Sequence, residues 1–288
     1  MRRGFLALTA LVLFAVPMAS TAAAQTADEI VAKYVKAIGG MDKINALKTL
    51  QRNGKFTGGG GFEARVTQDN KRPDMVREDF LIQGMDAVTA YDGKNGWKID
   101  PFQGKKDPEP LGEDELKDIV ADSDFDGPLV NYAAKGNKVE YVGTEPVEGT
   151  DAYKLKVTMA NGEVRYYYMD TDYYVPIKVE TKRMIRGAER EFEMSLGDYK
   201  EVDGVYFPWS VETGPKGSQQ KAKVTFDKIT ANGTLADARF IEPAAGAKTP
   251  AQHEGQPVDA SRLQPKTQQE KQQPKPPANE PKKPPVER

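Results

Sequence analysis

Residues 153–209 read YKLKVTMANGEVRYYYMDTDYYVPIKVETKRMIRGAEREFEMSLGDYKEVDGVYFPW, and their patterning decides the fold. Tyr153, Leu155, Val157 and Met159 alternate with Lys154, Lys156 and Thr158. Val164, Tyr166 and Tyr168 share the next parity, followed by Ile177 and Val179. Phe192, Met194 and Leu196 then interleave with Glu191, Glu193 and Ser195. A period of two puts each set on one face of a sheet. Asn161-Gly162 is the strongest short hairpin signal, so neighbouring strands run antiparallel. One face of the sheet is therefore apolar over many strands, which points to the binding of something apolar.

Working outward, further strands are expected at 49–56, 62–69, 75–82, 85–91 and 97–99, with turns at Gly58 to Gly61, Asp92-Gly93 and Asn95-Gly96. Strands resume at 138–144 and continue to 224–229. Thr26-Ala27-Asp28-Glu29 is a capping box ahead of Ile30, Val31, Tyr34, Val35 and Ile38 at helical spacing, and Gly39-Gly40 ends that helix. A shorter helical piece occupies 41–47. Between 101 and 136 the sheet pauses: Glu113-Asp114-Glu115 opens a helix carrying Leu116, Ile119 and Val120, and a second helical piece carries Leu129, Val130 and Tyr132. The fold class is α+β, one strongly curved antiparallel sheet of about eleven strands with helices confined to two places.

An apolar sheet face covered by helices is, in the plainest reading, an ordinary core. A closed barrel of about eight strands is just filled by its own side chains or holds one small ligand. A sheet of about eleven strands around a few short helices encloses more apolar volume than those helices fill, which favours a cavity.

The two ends differ from the middle. Arg2 and Arg3, an apolar run from Phe5 to Val16 and Ala22-Ala23-Ala24 make a secretory signal peptide, residues 1–24, cleaved after Ala24. The run is too short to span a bilayer. No cysteine is present, so neither disulfides nor thiol acylation are available, and the expected location is the periplasm. The domain is expected over 25–243. From 244 to 288 the chain holds nine prolines, seven glutamines and six lysines, a composition that buries too little surface to offset chain entropy and reads as a disordered tail. The whole chain carries a formal charge of -2, and the part between the two ends is the acidic one, which argues against nucleic acid.

Reactive chemistry is sparse. The one histidine, His253, sits in the tail, which excludes a Ser-His-Asp triad and a His-ligated zinc site in the domain. No nucleophile elbow, P-loop or dinucleotide fingerprint occurs. Asp122-Ser123-Asp124-Phe125-Asp126-Gly127 opens like a calcium loop, but the position that needs a bidentate Glu holds Ala133, so it reads as a solvated turn. Tyr166-Tyr167-Tyr168 and Tyr173-Tyr174 read first as half-buried strand residues rather than a carbohydrate platform. No enzyme activity, cofactor or metal is expected.

An ordered set of short motifs resembles the outer-membrane lipoprotein-sorting proteins related to LolA and LolB. It comprises Ile38-Gly39-Gly40-Met41-Asp42-Lys43, Tyr91-Asp92-Gly93 with Gly96-Trp97, Asp126-Gly127-Pro128-Leu129, Val142-Gly143, Tyr153-x-Leu155-x-Val157 with Gly162, Tyr168-Met169-Asp170 and the run from Asp198 to Pro208. The resemblance covers roughly 27–241. It implies an unclosed β-barrel with a helical lid over its concave apolar face, and transient binding of lipoprotein acyl chains without reaction. The cavity wall is expected to be one parity of the strands, Val66, Tyr91, Leu155, Val157, Tyr166, Phe192, Met194, Val224 and Phe226, and the lid is expected to carry Leu116, Ile119, Phe125 and Leu129. The expected function is a monomeric periplasmic carrier or sensor of an acylated lipoprotein or lipid, with inner- or outer-membrane sorting components as further partners. The alternative is a non-transporting envelope protein whose β-domain and Pro-rich tail bind protein or cell-wall partners.

Overall fold

A computed structural model describes residues 25–185 and 188–246. The signal-peptide expectation and all of the tail beyond Gly246 lie outside the described residues. α1 (Ala27–Ala37) starts at the capping box: the Thr26 hydroxyl accepts from the Glu29 amide at 3.2 Å, and the Glu29 carboxylate accepts from the Thr26 amide at 3.0 Å. Both orphan donors of the first turn are thereby satisfied. α2 (Met41–Ala46) follows at once.

Among the described residues, thirteen strands make one sheet. They are β1 (Thr49–Thr57), β2 (Glu63–Lys71), β3 (Met75–Ile82), β4 (Met85–Tyr91), β5 (Gly96–Ile99), the two-residue β6 (Glu109–Pro110), β7 (Lys138–Val147), β8 (Thr150–Thr158), β9 (Val164–Asp170), β10 (Pro176–Ile185), β11 (Ala188–Val202), β12 (Val205–Pro215) and β13 (Ala222–Ala231). The count exceeds the eleven expected, partly because β6 forms inside the stretch read as a pause. All neighbours are antiparallel, in the order β6-β5-β4-β3-β2-β1-β13-β12-β11-β10-β9-β8-β7. β6 and β7 are the two edges, so the sheet does not close. The Asn161-Gly162 hairpin is real but looser than a two-residue turn, since the Met159 amide donates to the Glu163 carbonyl across a five-residue connection, 159–163.

The chain between those edges has to cross from one side of the sheet to the other. It does so over the concave face, as α3 (Glu113–Ser123) and then a run of turns to Asn137. The second helical piece expected here does not form. Gly127 and Gly136 take left-handed backbone, as does Asn131 at φ 53°, and Pro128 lacks a donor, so the turns cannot propagate as a helix.

Two apolar clusters occupy part of the concave side. Ile30 and Val31 of α1 pack with Leu129, Leu155, Val157, Tyr167, Met169 and Val179. Ile38, Ile44 and Leu47 pack with Leu50, Val130, Val205, Phe207 and Ile229. A third cluster, Val88, Ala90, Trp97 and Ile99, lies on the outer face. The segment after β13 straps over it: Phe240 is fully buried, and the Trp97 indole donates to its carbonyl at 2.7 Å. Arg239 binds the buried carboxylates of Asp69 and Asp79, and Arg77 sits on Asp79 at 2.6 Å.

Candidate functional site

The core clusters leave part of the concave face bare. A cavity of about 670 Å³ lies there, within the range of about 300–1,000 Å³ typical of small-ligand sites. Strand register lays its wall out in rows. The outermost row runs Leu196–Val211–Val224–Phe56 across four strands. The next is Phe226–Gly54–Val66–Phe80–Ala87. A β-bulge between Asn53 and Gly54 resets the register so that Phe226 and Ile229 both point inward. Gly54 is required here: a Cβ would fall 2.4 Å from the Thr225 carbonyl and 3.0 Å from the Phe226 Cα.

The third row is polar: Arg52–Gln68–Glu78–Thr89, with Ile229 at its end. Arg52 Nη1 donates to Gln68 Oε1 and, at 3.1 Å, to Asn70 Oδ1; Gln68 Nε2 donates to Glu78 Oε1 at 2.6 Å. The Arg52 guanidinium lies 5.9 Å from the Phe207 ring centroid. Arg52 is deep in the protein, yet part of it borders the cavity. Burial pulls its pKa down to about 10, against the opposing pull of Glu78 and Asp122. Burial likewise raises the Glu78 carboxyl, moderated by the Gln68 hydrogen bond and Arg52.

The roof is the crossing segment. Phe125, Pro128 and Leu129 line the cavity from above. Arg72, at the end of β2, clamps this segment: Nη1 and Nη2 meet the two Asp126 oxygens at 2.8 and 2.7 Å. The same guanidinium donates to the Leu47 and Ile44 carbonyls and lies 4.6 Å from the Phe125 ring centroid. Asp124 is held by Lys135 at 2.5 Å. Two carboxylates of the calcium-loop lookalike are thus taken by cations. A cleft of about 730 Å³ adjoins the cavity and shares Phe80, Ala87 and Thr89 with it. Its rim exposes Phe62, Met85 and Phe102.

Of the nine residues assigned to the wall from sequence, Val66, Met194, Val224 and Phe226 line the cavity together. Leu155 and Val157 are fully buried beneath α1 as ordinary core. Phe192 and Tyr91 share strand parity with the lining residues but lie beyond the cavity. Tyr166 points outward: its neighbours Arg165 and Tyr167 line the cavity, while Lys154 lies over the Tyr166 ring at 5.2 Å on the other face. Three consecutive tyrosines hide the parity of β9, and an inward arginine, held by Glu163 at 2.8 Å, inverts the expected pattern. Among the residues assigned to the lid, Phe125 and Leu129 line the cavity. Ile119 is buried, and Leu116 packs near Gly96. The polar row escaped sequence reading, although Arg52, Gln68 and Glu78 share the parity of Phe56, Val66 and Phe80.

Neither a protein-family model nor a curated protein sequence matches this chain. Solved structures do share its architecture, and the fold is LolA-like. A LolA superfamily protein from Nitrosomonas europaea is 13% identical, with 76% of this chain and 98% of that one covered and a TM-score of 0.52. An outer membrane lipoprotein-sorting protein domain from Vibrio parahaemolyticus is 12% identical, with coverages of 74% and 94% and a TM-score of 0.50. A DUF1329 family protein from Desulfovibrio piger is 11% identical, with coverages of 75% and 97% and a TM-score of 0.51.

Proposed function

We propose that this protein is an exported carrier or sensor that binds acyl chains of lipoproteins or lipids, without catalysis, in the periplasm. The observation that carries the reading is the cavity of about 670 Å³ whose wall is two cross-strand apolar rows, on a LolA-like fold. Each buried methylene contributes about 0.8 kcal/mol, so full burial of a long chain would bind nearly irreversibly. Release then requires partial burial, and a wall open to the adjoining cleft suits that. The exposed Phe62, Met85 and Phe102 at the cleft rim mark the side from which a chain enters. The crossing segment from α3 to Leu129 serves as the lid, with Arg72 on Asp126 as its fastening.

The test is titration of the mature protein with N-phenyl-1-naphthylamine, a neutral probe that fluoresces in apolar surroundings. Saturable binding displaced by fatty-acyl compounds is expected. No binding would contradict the reading and leave the β-domain as a surface for protein or cell-wall partners.

A further inference from the structure

The polar row has no place in a wall built only to hold hydrocarbon. Four polar side chains on β1, β2, β3 and β4 stand in one register, about 7 Å from the apolar row above them, the two-residue repeat of a strand. The other charged groups at the cavity are spoken for. Arg165 is held by Glu163, Asp124 by Lys135 and Asp126 by Arg72. Arg52 is different: among the described residues no carboxylate lies within 4.0 Å of it. Its two hydrogen bonds both leave from Nη1 and go to neutral amides. No hydrogen bond from Nε or Nη2 accompanies them among the described residues, and the residue lines the cavity. A guanidinium presents a planar fork suited to a carboxylate or phosphate.

Resting on the proposed function, we infer that Arg52 is the head-group site of the cavity, and that the preferred ligand is an amphiphile with an anionic oxygen head, a carboxylate or a phosphate. The head meets Nε and Nη2 of Arg52. The hydrocarbon then runs across Val66, Phe80 and Phe226 to Val224 and Val211. Gln68 holds Arg52 on one side and Glu78 on the other, fixing the fork in place. Along the row, Gln68 stands between the Glu78 carboxyl and Arg52. Asp122, which also lines the cavity, is the other carboxylate whose charge acts on Arg52.

The experiment displaces N-phenyl-1-naphthylamine from the mature protein with laurate, lauryl phosphate and methyl laurate, which share one chain and differ in the head. The wild type is expected to bind the better of the two anions at least tenfold more tightly than the methyl ester. Arg52→Met should bring that anion down to the level at which the same variant binds the ester. Whether laurate or lauryl phosphate leads identifies the head as a fatty acid or a lipid phosphate, and either supports the site. Equal binding of both anions and the ester to the wild type overturns it, and needs no variant to fold. A preference that survives Arg52→Met overturns it equally. Failure of the probe and all three compounds to bind overturns the proposed function itself, so the two failures are distinguishable.

Discussion

Val224→Glu separates a ligand cavity from a closed core. Val224 sits mid-row between Val211 and Phe56, and none of these row neighbours carries a charge. In a sealed core an unpaired carboxylate there would cost about 3–5 kcal/mol. Facing a cavity of about 670 Å³, it can be hydrated when no ligand is bound, so the loss should be about 1 kcal/mol. At roughly 2–4 °C per kcal/mol for a domain this size, the melting temperature should fall by a few degrees. A hydrated carboxylate displaces the hydrocarbon along that row, about four methylenes at 0.8 kcal/mol each, or about 3 kcal/mol. Binding of a fluorescent fatty-acyl probe should weaken more than a hundredfold. Calorimetry and probe titration on the same sample read both numbers. A fall of more than about 8 °C, or unchanged probe affinity, would show that Val224 faces a sealed core and not a ligand cavity.

Three further outcomes follow from the contacts. Arg72→Met strips the cation from Asp126, whose side chain is only 10% exposed; denaturant melts should show a loss of about 2–3 kcal/mol, and a double-mutant cycle with Asp126→Asn should give coupling above about 1 kcal/mol. Asp86 has its carboxyl raised by burial, then by Asp79, from 3.8 to about 6, and its Oδ1 has no hydrogen-bond partner among the described residues. The unfolded chain therefore releases this proton first, so this group lowers stability as pH rises between about 4 and 6; Asp86→Asn should flatten that slope and raise the melting temperature at pH 7, and an unchanged slope would refute it. A chain of residues 25–246 should melt within about 1 °C of one of residues 25–288, whereas one ending at Ala236 loses buried Phe240 and the Arg239 contacts to Asp69 and Asp79 and should lose at least about 4 kcal/mol.

The sheet was legible because its signal is local. Alternation in β8 and β11 marks the inner face directly, and the capping box at Thr26 marks α1 to the residue. The site was legible only where alternation was clean. Val66, Val224 and Phe226 obey it, whereas β9 hides its parity behind three tyrosines and turns Arg165 inward. Leu155 and Val157 have the right parity, yet α1 covers them, and which part of an apolar face a helix covers depends on tertiary packing that no periodicity encodes. The polar row arises from register across β1 to β4, with a bulge at Asn53 and Gly54 displacing β13 by one residue. Pairing of that kind joins residues far apart in sequence, and single-strand patterns do not carry it.

Native mass spectrometry of the protein isolated from its own cells is the sharpest test of the proposed binding role. A bound, non-covalent lipid or acylated ligand on the wild type, depleted in Val224→Glu, is the expected result. A wild type that flies free of any ligand and also fails to take up a fatty-acyl compound would contradict it.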